Sequence, residues 1–194
     1  KGDKEWVRCV GGLGDEYAIS VQQTIDGGFV IAGHTTSSGG NFTNSGYHGD
    51  YDAFVARIDP AGDIEWVRCI GGSGGDIGIA IQQTPDDGYI IAGYSSSIDG
   101  NFTDANHHEG SSDAFLAKLD PTGDVEWIRC VGGTGDNEYG HAVQISADGG
   151  YILGGQAASS DGDFAGSGYH HSPYPSIDTG DGFLAKVNAT GTVE

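Results

Sequence analysis

Methionine is absent from this chain of 194 residues, and lysine and arginine together number eight against 28 aspartates and glutamates. The net charge of −20 excludes the ordinary nucleic-acid binder, which neutralises phosphates with clustered basic side chains. It disfavours anionic membrane surfaces for the same reason. No run of about 18 apolar residues offers a helical membrane span, so no membrane insertion is expected, and no basic-then-apolar leader opens the chain. Without an initiator methionine, the chain is expected to begin after processing or to be a segment of something longer. Cysteine is scarce and odd in number: Cys9, Cys69 and Cys130 cannot all pair within one chain. They read first as small buried apolar residues and second as cross-links between chains.

What the chain has is 36 glycines and a hydrophobic content of 37%, a composition that folds. So many carboxylates suit divalent cations and a salty or extracellular setting. The organising stretch is EWVRCVGG at residues 5–12, which returns as EWVRCIGG from Glu65 and EWIRCVGG from Glu126. Trp6 to Trp66 is 60 residues, Trp66 to Trp127 is 61, and Glu126 to Glu194 is 68. The chain is therefore a single repeat array, with units at approximately 1–60, 61–121 and 122–190 and a further repeat starting at 191–194. A residue that recurs in every unit is weighed first as something each unit needs to fold.

Each unit opens with an alternating EWVRC segment, expected as a strand with Trp6, Arg8 and Val10 on one face. A glycine-rich loop follows, with Asp15 and Glu16 at its corner, Asp76 in the second unit, and Asp136 and Glu138 in the third. Then come YAISVQQT, the turn IDGG and FVIAGHT, which spell a tight hairpin, since glycine tolerates the positive φ such a turn requires. The second and third units repeat it. A polar loop of 18, 19 or 25 residues leads to DAFVARID, DAFLAKLD or DGFLAKVN, and DPAGD or DPTGD turns into the next EWVRC. Four short antiparallel strands per unit, with no amphipathic helical stretch, predict an all-β meander repeated as a β-propeller-type array. A β-solenoid fits less well, because its coils use roughly 20–30 residues and lack internal hairpins.

GDxEW, GGxGxD, the QQTxDGGYIIAG-like hairpin and a His-containing loop before DAFLAKLD resemble the β-propeller repeats of large secreted and cell-surface proteins of bacteria and archaea. The resemblance covers all three units. It implies four-stranded blades, three in this chain, and an extracellular or cell-surface scaffold with no single activity. The first strand of the chain, residues 5–10, is expected to complete a blade. Three blades fall short of the roughly four to eight of a propeller, so the expected partners are copies of the same chain, as a homo-oligomer or filament, or further repeats of a longer one.

The candidate sites lie in the long loops. Asp99, Asn101 and Thr103 in IDGNFTD, and Asp161 and Asp163 in SDGDFAG, follow the alternate-oxygen spacing of calcium loops, so Ca²⁺ is the expected cofactor if the loops take one. Against it stand the absent twelfth-position glutamate, Gly39 in the first unit, and the solvated Asx turn that the same residues would form. Asn41, Asn101 and Asn188 begin N-glycosylation triplets. His48, His107, His108, His170 and His171 each precede an aspartate that opens a strand, which suits loop anchoring better than a metal site or proton relay. Tyr169, His170, His171 and Tyr174 stand on a segment that breaks the repeat and could stack on a glycan or dock a neighbour. No nucleophile-elbow serine, spare arginine cluster or unrepeated acid pair is present, so no enzymatic activity is expected. A carbohydrate-binding propeller is the alternative, and a glycan-acting hydrolase ranks below it.

Overall fold

The computed structural model describes residues 2–3, 5–108, 111–135, 137–170 and 180–194. They form eleven strands in three antiparallel sheets. The first sheet is β1 (Glu16–Gln23), β2 (Phe29–Thr35), β3 (Asp52–Ile58) and β4 (Ile64–Ile70), hydrogen-bonded in that order. The second repeats it as β5 (Asp76–Gln83), β6 (Tyr89–Ser95), β7 (Asp113–Leu119) and β8 (Val125–Val131). The third has β9 (Tyr139–Ile145), β10 (Tyr151–Ala157) and β11 (Asp181–Val187). The only helical elements among the described residues are three single turns of 3-10 type, Gly40–Phe42, Gly100–Phe102 and Gly162–Phe164.

The first two sheets thus straddle a boundary of the sequence repeat, each taking its fourth strand from the EWVRC segment of the following unit. Residues 5–10, which sequence alternation predicts as a strand, are not one. A strand needs a ladder, and no described strand lies beside them. They also do not complete the third sheet, whose outer edge is met by Val193, bridged to Val187. Their side chains nevertheless dock as those of a fourth strand do. Trp6 lies edge-on to Phe29 with ring centroids 5.6 Å apart, as Trp66 does to Tyr89 at 5.7 Å. The reason is the following turn: Gly62, Gly123 and Gly191 carry positive φ, and a Cβ at any of them would press on Trp6, Trp66 or Trp127. Gly33, Gly93 and Gly155 are required differently, because a Cβ there would collide with the carbonyl oxygen of Tyr17, Ile77 or Tyr139 across a bulged ladder.

The hydrophobic core lies between sheets, not within one. Val30, Ala32, Ala53, Val55 and Ile70 of the first sheet meet Ile81, Tyr89, Ile91, Phe102, Phe115 and Cys130 of the second. Ile90, Ala92, Ala114, Leu116 and Val131 of the second meet Val143, Leu153, Phe164 and Val187 of the third. All seven residues of β3 and of β7 are buried, β7 between two sheets and β3 between the second sheet and a cluster in which Phe42 and Val10 cover Phe54 and Ile31. At the inner edge, β5 packs against β1 and β9 against β5. Side chains fill the space there that a further ladder would occupy. Gln83 N donates to Gln22 Oε1 at 2.5 Å, Ile145 N to Gln82 Oε1 at 3.2 Å, and Ile81 N to Ser20 Oγ at 3.3 Å. Burial of this kind stabilises by about 25 cal/mol per Å² of apolar surface removed from water.

Candidate functional site

The loops that carry the candidate residues gather at the ends of the junctions. In each unit the single helical turn presses its phenylalanine inward, where Phe42, Phe102 and Phe164 stand edge-on or tilted to Phe54, Phe115 and Phe183, with centroids 5.1–5.3 Å apart. The residue before the phenylalanine clasps the glycine loop. Asn101 N donates to Gly71 O at 2.9 Å while Gly71 N donates to Asn101 Oδ1 at 3.0 Å, and Asn41 makes the same pair with Gly11. In the third unit Asp163 takes this place, receiving Gly132 N at 3.2 Å and Arg129 at 3.1 Å.

The aspartates two positions earlier cap a different part of that loop. Asp99 Oδ1 accepts from Ser73 N at 2.6 Å, and Asp161 Oδ1 from Thr134 N at 2.8 Å. These donors hold both carboxyls below the usual range, the Ser73 amide leading for Asp99 and the Thr134 side chain for Asp161. Thr103 Oγ1 donates to Gly100 O at 3.0 Å. The alternate oxygens of both stretches therefore aim at separate backbone groups and not at one centre. Among the described residues, no group of three or more His, Cys, Asp or Glu side chains could hold a metal ion.

A second recurring device joins neighbouring sheets. Asp52 Oδ2 accepts from the backbone N and Nδ1 of His48 at 2.9 and 3.0 Å, and Asp113 Oδ2 from those of His108 at 2.8 and 3.1 Å. The His48 ring reaches the next sheet, lying 3.2 Å from where a Cβ on Gly100 would be, and His108 repeats this at 3.1 Å from Gly162. Opposite each stands a buried acid that opens the next inner strand. Asp76 accepts from Gly72 N at 2.9 Å, Ser97 Oγ at 2.8 Å and Ser95 Oγ, and its own N donates to Tyr51 O at 2.8 Å. Glu138 accepts from Gly133 N at 3.4 Å and Ala158 N at 3.2 Å. Burial pushes Asp76 up to about 6 against these donors, and raises Asp52, Asp113 and Glu138 as well. Sequence marked Asp76 and Glu138 as corner residues; their burial followed only from the neighbouring sheet. Asp136 lies outside the described residues.

The third unit has the same device in the open. His170 N and Nδ1 lie 2.7 and 3.3 Å from Asp181 Oδ2, yet the His170 side chain is 90% exposed, against 33% for His48 and 19% for His108. Tyr169 is half-buried and borders the same groove as His170; His171 and Tyr174 lie outside the described residues. Of the glycosylation candidates, Asn41 is exposed and Asn101 half-buried in its clasp. Asn188 is a turn cap, its Oδ1 accepting from Thr190 N, Thr190 Oγ1 and Thr192 N at 2.9–3.0 Å. All three cysteines are free. Cys69 and Cys130 are buried, and burial pushes the Cys69 thiol up to about 12, so neither is a reactive cross-linking thiol. Cys9 is exposed. No helix among the described residues is long and apolar enough to cross a membrane. No protein-family model matches the chain, and no curated protein matches it.

Proposed function

We propose that the chain is a non-enzymatic structural module, a β-propeller-type array that works by packing one blade face on the next at a cell surface or outside the cell. One observation carries this reading. Ile81 and Val143, on equivalent inner strands, are 4% and 7% exposed where a preceding sheet covers them, whereas Val21 in the same place of the first sheet is 66% exposed. Residues that recur are thus residues that junctions use: the Trp on its turn glycine, the Asn or Asp clasp, the His–Asp pair and the buried acid.

Asp76 and Glu138 hold loop amides, and Asp52 and Asp113 hold the amide and ring of His48 and His108 through Oδ2 while their Oδ1 atoms have no partner among the described residues. The shared loop-holding role in the first two sheets supports a scaffold over an enzyme. The oxygens of Asp99, Asn101, Thr103, Asp161 and Asp163 are likewise engaged, so we read them as loop caps ahead of calcium ligands. The acidic surface fits an extracellular setting. Antibody labelling of intact source cells tests the proposal: surface labelling that proteinase shaving removes is expected, and a chain confined to the cell interior overturns it. Carbohydrate binding is the second reading, favoured by the open groove that Tyr169 borders. A glycan array with wild-type protein and Tyr169→Ala separates the two, since only the second reading expects saturable binding lost in the variant.

A further inference from the structure

We infer that a second copy of this chain docks head to tail on the first, the exposed face of the third sheet in one copy receiving the exposed face of the first sheet in the other. This rests on the radial-array reading above and names its partner. Both faces expose apolar side chains, that of the third sheet among the polar groups of Asp163, Asp181 and Lys186. Leu184 is 80% exposed where its equivalents Val55 and Leu116 are 0%, and it lines a groove of about 490 Å³ with Tyr169, His170 and Phe183. The first sheet presents a groove of about 530 Å³ between Val21, Phe29 and Ile31 of the sheet and Trp6, Arg8 and Val10 of the segment before it.

The two internal junctions say what fits there. His48 sits over Gly100 and His108 over Gly162, so the residue placed to receive His170 is Gly40 of the other copy. Gln22 accepts from Gln83 N and Gln82 from Ile145 N, so Gln144 faces the other copy's Gln23 N. Ser20 touches Ile81, and Ala80 packs on the cluster holding Val143, so Ala142 meets the other copy's Val21. A head-to-tail contact gives each copy one donor face and one acceptor face, and it closes when the rotation allows. With three sheets per copy, two copies make six, the only multiple of three within the roughly four to eight blades of a closed propeller.

Light scattering over a dilution series tests this. The wild-type chain is expected to show twice its 20.0 kDa mass, and Leu184→Arg to weaken the association at least tenfold while leaving the unfolding transition in place. In a Cys9→Ser background, Val21→Cys with Ala142→Cys is expected to give a covalent dimer on oxidation. A wild-type chain that stays at 20.0 kDa at millimolar concentration overturns the inference, as does a larger species indifferent to Leu184→Arg and untrapped by the cysteine pair. A monomer that still unfolds in one transition would sink the docking and leave the radial array standing. Sheets that unfold independently would sink both.

Discussion

Strands β7 and β11 carry nearly the same seven residues, DAFLAKL and DGFLAKV, in different surroundings. Every residue of β7 is buried, whereas β11 alternates between half-buried and exposed until its last residue. Their sequences differ only in Ala114 against Gly182 and Leu119 against Val187. What differs is the neighbours: β7 lies inside its sheet with a sheet on each face, and β11 is the edge of its sheet with another sheet on one face only. The repeated residues are therefore addressed to the junction, and a unit shows what they do only when the next unit is present.

The largest test of this contrast is truncation at one position in both strands. Leu116→Ala is expected to cost about 3 kcal/mol, by lost burial and the cavity left behind, and Leu184→Ala less than about 0.5, both read by urea unfolding of the chain diluted to a monomer. Equal costs would break the comparison.

A pH series sharpens it next. Asp76 in the junction has its pKa raised from 3.8 to about 6, chiefly by burial, so its neutral form suits the folded state better. Its contribution is fully present below 3.8 and lost as pH rises through about 6. The loss is on the order of 2 kcal/mol. Asp76→Asn is expected to flatten that stretch of the stability profile, and an unchanged slope would count against a buried carboxylate.

Smaller again is the amide bridge between inner strands. Gln82→Ala leaves Ile145 N without its partner and is expected to cost about 1 kcal/mol, whereas Gln144→Ala costs almost nothing in the diluted monomer. The least effect is expected from Ca²⁺ or a chelator, which should move the midpoint of thermal unfolding by less than ~1 °C if the loop oxygens are already engaged. A rise of several degrees with Ca²⁺ would restore the loops as cation sites.

Much of this fold was legible in the sequence because strands and turns are local. The DGG hairpins, the returning DAFVARI strands and the DPAGD turns fall where alternation and turn chemistry put them. Residues 5–10 were misjudged for the complementary reason: they alternate like Ile64–Ile70 and Val125–Val131, but a ladder partner cannot be read from one segment. The loop sites were harder still. Asp99 and Asp161 have calcium-like spacing, yet their oxygens go to Ser73 and Thr134, 26 and 27 residues away, and no spacing rule gives that. Asp76 and Glu138 drew notice as corner acids, while their burial depends on Tyr51 and Ser112 of the preceding sheet.

Amide hydrogen exchange of β1 against β5, in the Leu184→Arg variant to keep the chain monomeric, tests most directly whether junctions hold the molecule together. The two strands stand at equivalent places of the repeat and make the same bulged ladder to a hairpin partner, but only β5 has a sheet packed on its leading side. Exchange in Asp76–Gln83 at least tenfold slower than in Glu16–Gln23 is the result this account requires, and equal protection of the two strands would contradict it.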